Sequence, residues 1–88
     1  MTINREALDT VILNSMKEVA GSRGTELTVP LQPETVLLDT GLDSLSFAML
    51  IASLERKLGY DPFVLSEKSF YPTTITQLCD YYHDNQPL

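Results

Sequence analysis

The residues best placed to do chemistry sit together in Asp39-Thr40-Gly41-Leu42-Asp43-Ser44-Leu45. The run offers a serine hydroxyl flanked by two carboxylates, with Gly41 allowing a tight approach. It lies where a Pro- and Gly-punctuated stretch gives way to an unbroken apolar segment, so Ser44 falls at a helix N-terminus. Unpaired backbone N–H groups and the helix dipole favour an anion there, by about 0.3–1 kcal/mol at an exposed site. A phosphodiester on Ser44 would sit in that field. Asp39 and Asp43 are close enough in sequence to bind a divalent cation brought by a modifying enzyme. A plainer role also fits, because Asp43 or Ser44 could simply cap the helix, and spacing alone favours the cap.

Other chemistry-bearing residues are weaker. A hydrolase built on Ser44 lacks a positioned His/Asp pair, since His83 is the single histidine. His83 has no second ligand at metal spacing and reads as a solvated helix-end residue, so no metal site is expected. Cys79 is the single cysteine, which excludes an internal disulfide framework and a Cys-based zinc cluster. Its place on an apolar helix face makes it a buried small hydrophobe.

The elements that must position the motif follow from hydrophobic spacing. Leu8, Val11, Ile12, Ser15/Met16 and Val19 recur at helical intervals, predicting helix one over about 3–20 with Gly21 as its stop. A loop spans 21–43, broken by Pro30 and Pro33 yet rich in Leu and Val; it is expected to pack across the helices. Helix two is predicted over 44–58, ended by Gly59, with Phe47, Leu50, Ile51, Leu54 and Leu58 as its core stripe. Ser46, Ser53 and Lys57 fall on the opposite side, while Leu45, Ala48, Met49 and Ala52 form a second apolar strip. A short third helix is expected near 66–70. The last helix, over about 74–84, shows Ile75, Leu78, Cys79 and Tyr82 on one face. The whole is a single domain over 1–88, an all-α, small four-helix bundle with one long loop between helices one and two.

Composition agrees with one small domain. The 88 residues are 43% hydrophobic and 20% charged, enough apolar material for one core. Twelve acidic against six basic residues give a net charge of −6, which disfavours nucleic acid and suits partners with basic patches. No apolar run reaches the roughly 20 residues that span a bilayer. The N-terminal MTINREALDT does not resemble a secretory signal, so a cytoplasmic, monomeric protein is expected.

The stretch LLDTGLDSLSFAMLIASLERKLG resembles the signature of acyl carrier proteins, with Asp-Ser-Leu at the head of the second helix. The resemblance covers nearly the whole chain and implies the acyl-carrier bundle. It implies that Ser44 receives 4′-phosphopantetheine from coenzyme A, through a separate transferase that uses magnesium. Asp43 matches the acid that helps the transferase dock and hold its metal, and Leu45 the apolar residue that meets partner enzymes. The implied function is transport of acyl thioesters, not catalysis. The implied partners are a phosphopantetheinyl transferase, an acyl- or aminoacyl-loading ligase, and downstream acyl transferases or synthases.

Two features depart from the fatty-acid members of that family. Glu55 matches one carboxylate of their partner-facing helix side, but Met49, Arg56 and Lys57 replace others. The expected docking surface is therefore Asp39, Leu45, Ala48, Met49, Ala52 and Glu55. Gly-Tyr-Asp-Pro-Phe at 59–63 and Phe70-Tyr71-Pro72 look more like dedicated carriers of secondary or surface-polysaccharide pathways. A peptidyl or aminoacyl carrier, or an unmodified helical interaction module, are the alternatives. A cargo held inside the bundle would meet Phe47, Leu50, Ile51, Leu54 and Ile75; with Phe47 partly filling that space, a short or polar cargo is expected.

Overall fold

A computed structural model describes residues 3–24, 27, 30–65 and 72–86. Among these residues the chain is helical and contains no strand. Its elements are α1 (Arg5–Ser22), a 3-10 turn (Leu37–Thr40), α2 (Ser44–Leu58), a single α-turn (Pro62–Leu65) and α3 (Ile75–Asp84). Among the described residues three helices and two short turns are seen, against an expected four helices. The anticipated helix at 66–70 lies outside the described residues. The radius of gyration is 12.3 Å.

In α1, Leu8, Ile12, Met16 and Val19 are buried at helical intervals, together with Ser15 and Ala20. Asn4 caps its start, the side-chain oxygen accepting from Ala7 N–H at 2.8 Å. The helix is shifted from the expected 3–20, and Gly21 lies inside it. Hydrogen bonding carries on past that glycine, because Arg23 N–H still reaches the Val19 carbonyl at 3.1 Å. The chain turns away at Gly24 instead.

The buried stripe of α2 is Ser46, Leu50, Ser53 and Leu54. This corrects the expected facing: two serines assigned to solvent lie in the interior, while Phe47, Ile51 and Leu58 are only half-buried. Periodicity gives the spacing of a stripe but not its centre, and small hydroxyl side chains can be enclosed where helices pack closely. Lys57 continues the same stripe at its rim. Its Nζ donates to Ser15 Oγ at 2.9 Å and to Glu18 Oε2 at 2.7 Å, joining α2 to α1.

α3 closes the other side of α1 with Ile75, Leu78, Cys79 and Tyr82, all buried. Thr74 is its cap, accepting from Gln77 N–H at 3.2 Å, so the helix begins one residue after the expected start. Arg5 ties α1 to α3 by bonding both Asp9 and Asp80. Near the termini, Ile3 N–H donates to Gln86 Oε1 at 2.7 Å, and Gln86 Nε2 returns a bond to the Ile3 carbonyl at 3.0 Å.

The long connection is strapped down. Leu37 N–H donates to the Thr73 carbonyl at 2.8 Å, Ile75 N–H to that of Thr35 at 3.0 Å, and Thr76 N–H to that of Pro33 at 2.9 Å. Val36 and Thr74 form an isolated antiparallel bridge within this ladder. The strap satisfies orphan amides at the head of α3 and fixes where the chain re-enters α2.

Candidate functional site

The junction before α2 is built by local backbone devices. The 3-10 turn Leu37–Thr40 ends at Gly41, whose φ of +91° lies in the left-handed region that costs an L side chain about 1–2 kcal/mol. Thr40 is buried, its hydroxyl donating to the Leu37 carbonyl at 2.6 Å and accepting from Leu42 N–H at 3.4 Å. Leu42 drops into the core. These three residues bring Asp43 and Ser44 to the helix start in a fixed direction.

Asp43, rather than Ser44, is the cap. Its Oδ1 accepts from Ser46 N–H at 2.8 Å, and its Oδ2 accepts from Arg23 Nη2 at 3.2 Å. The bonds from Ser46 and the neighbouring guanidinium hold the Asp43 carboxyl below the usual carboxylate range. Arg23 comes from just beyond α1, twenty positions away in sequence, and no local signal marks it. Thr40 is more legible, since a threonine before a helix commonly bonds nearby backbone.

Capping by Asp43 leaves the Ser44 side chain with no structural duty. Ser44 is the first residue of α2, is exposed, and its hydroxyl makes no hydrogen bond among the described residues. The N–H groups of Ser44 and Leu45 have no intrahelical acceptor, as at any helix start. An anionic ester on Ser44 would meet those amides and the positive end of the dipole. Arg23 already offsets the charge of the adjacent Asp43. The residues present therefore fit a phosphate-linked group.

Beside the serine lies a cleft of ≈ 410 Å³. Leu37, Leu38, Leu42 and Phe47 give it apolar walls, Asp43 and Ser44 stand at its edge, and Pro72 and Thr73 form the far side. Leu50, Leu54 and Ile75, expected around an internal cargo, are instead closed within the core. Leu38 is 87% exposed at the rim of the cleft, and Leu45 is 56% exposed on the helix.

Of the expected docking residues, Asp39, Leu45, Ala48, Ala52 and Glu55 are exposed. Met49 departs from that strip, being half-buried against the core. Cys79 lies away from the site, 2% exposed, with its thiol pushed up to about 12 by burial and the neighbouring Asp9. Among the described residues no group of three or more His, Cys, Asp or Glu is arranged to hold a metal, and no helix is long and apolar enough to cross a membrane.

A family model described as the phosphopantetheine attachment site matches residues 11–81. No curated protein matches the chain, nor does any solved structure. The match runs from within α1 through the strap, the capped junction and the whole of α2 to most of α3. The chain thus belongs to the phosphopantetheine-attachment family, whose domain is the attachment site for a 4′-phosphopantetheine prosthetic group.

Proposed function

We propose that Ser44 carries the 4′-phosphopantetheine, and that the protein is a non-catalytic carrier of acyl intermediates in a dedicated secondary-metabolite or surface-polysaccharide pathway. The observation that carries this reading is the Ser44 hydroxyl, exposed at the first position of α2 and relieved of capping by Asp43. When bound, the group supplies a terminal thiol that holds an acyl chain as a thioester. The chain's own residues do the rest. Asp43 caps the helix and keeps its start open, Arg23 offsets the Asp43 charge, and the strap holds the cleft beside the serine.

In this reading α1, α2 and α3 are the three longer helices of a carrier bundle, with the Pro62–Leu65 turn between α2 and α3. Leu45, Ala48 and Ala52, flanked by Asp39, Asp43 and Glu55, form the surface that meets a phosphopantetheinyl transferase, a loading ligase and downstream acyl transferases or synthases. Their sparing of charge along the helix also supports a peptidyl or aminoacyl carrier as the second reading.

Incubation with coenzyme A, magnesium and a promiscuous phosphopantetheinyl transferase tests the proposal by intact mass. Wild type is expected to gain one arm and Ser44→Ala none, with unchanged stability. A wild type that gains no mass would leave only a helical interaction module.

A further inference from the structure

Five aromatic rings occupy the space between α2, the Pro62–Leu65 turn and α3, and they bear on where a cargo can go. Phe47 meets Phe63 edge-on, with centroids 6.3 Å apart at 81°. Phe63 leans on Tyr81 at 5.0 Å and on Tyr82 at 6.2 Å, and Tyr82 on Tyr60 at 5.9 Å. Hydrogen bonds lock the cluster: the Tyr60 hydroxyl donates to the Tyr82 carbonyl at 2.6 Å, and the Tyr81 hydroxyl to that of Pro62 at 3.2 Å. Edge-to-face pairs of this kind add to packing beyond the area they bury. Tyr82 in this row is completely buried, as are Leu50, Leu54 and Leu78 of the core.

Phe47 belongs to both compartments. It lines the cleft at Ser44 and also packs against Phe63 in the aromatic row. A chain leaving Ser44 for the interior must displace that ring and the ring behind it. The cleft touches the serine and, among the described residues that line it, is polar only at Asp43, Ser44 and Thr73. Its ≈ 410 Å³ lies near the small end of the range for ligand pockets.

Resting on the attachment of the arm at Ser44, we propose that Phe47 is a specificity-determining residue: it shuts the bundle interior and seats a short apolar acyl group in the outer cleft formed with Leu37, Leu38 and Leu42. The cargo class follows from the lining, which offers an acyl tail aliphatic walls and little to pair with a charge.

The test loads the arm with butyryl or dodecanoyl groups from the matching acyl-coenzyme A and follows methyl resonances. In wild type, butyryl is expected to shift Leu38 and Leu42, and neither chain to shift Leu54 or Leu78. In Phe47→Ala, dodecanoyl is expected to shift Leu54 and Leu78. Phe47→Leu, which disturbs packing less, should show the same change at smaller amplitude if the alanine variant does not fold. Interior shifts with dodecanoyl in wild type would overturn the proposal, and so would an unmoved interior in both variants. If intact mass records no arm, it is the attachment at Ser44 that has failed. Ser44→Cys alkylated directly with butyl or dodecyl chains then reads cleft against interior on the same resonances, with buried Cys79 expected not to react.

Discussion

The two ends of α2 are built in opposite ways. Its first two residues, Ser44 and Leu45, are exposed, and the structure there comes from short-range hydrogen bonding and backbone conformation: the Asp43 side-chain cap, a 3-10 turn and a left-handed Gly41. Its last turns are held by side chains, with Ser53 and Leu54 buried, Lys57 bonded across to α1, and Tyr60 folded into the core. A hydroxyl that stands exposed cannot also be enclosed by its own fold. The exposed end is therefore fixed by capping and turn hydrogen bonds that leave the Ser44 and Leu45 side chains in the open, while packing at the other end anchors the helix.

The sharpest way to break that contrast is Leu54→Ala. Leu54 is wholly buried, and a Leu→Ala change in such a site costs about 2–5 kcal/mol. Denaturant unfolding should show this loss in full, while folded protein still accepts modification at Ser44. Gly41→Ala comes next, at roughly 1–2 kcal/mol, because the left-handed turn cannot accept a Cβ without strain. Here the modification rate should fall along with stability, since the turn aims Ser44. Were the rate unaffected, the turn would not be positioning the serine.

Asp43 sharpens the contrast through pH. Its folded pKa is depressed by the Ser46 bonds and Arg23, so its contribution is present above the ordinary carboxylate pKa. It is lost as pH falls through the lower folded value. Asp43→Asn is expected to flatten stability against pH in that acid window, read by thermal unfolding, and to change it little at neutral pH because Asn also caps. The smallest effect belongs to Leu45→Asp. At 56% exposure it should shift stability by no more than about 0.5 kcal/mol while weakening docking of the transferase, read as a raised KM.

Legibility in the sequence followed the same division. The motif, the first residue of α2, the stop at Gly59 and the apolar face of α3 could be read from local spacing. Local sequence allows either Asp43 or Ser44 as the cap, and hydrogen bonding selects Asp43. Misplaced were Gly21, which the helix runs through, and Ser46 and Ser53, which a polarity rule sends to solvent. The Arg23–Asp43 pair and the Lys57–Ser15 bond join residues far apart in the chain and leave no periodic trace. The strap was anticipated only as a long apolar loop; its partners at the head of α3 were not.

What the amino-acid order settled alone is what neighbours within about one helical turn govern: where α2 starts and stops, that Gly41 and Gly59 punctuate it, and that a serine stands at a dipole's positive end. Only the folded chain decided which side of α2 faces inward, that an arginine offsets the capping aspartate, and that an apolar cleft opens beside Ser44 while aromatic rings fill the interior. Those outcomes depend on close packing among side chains brought together from distant positions, and no local pattern encodes that three-dimensional fit.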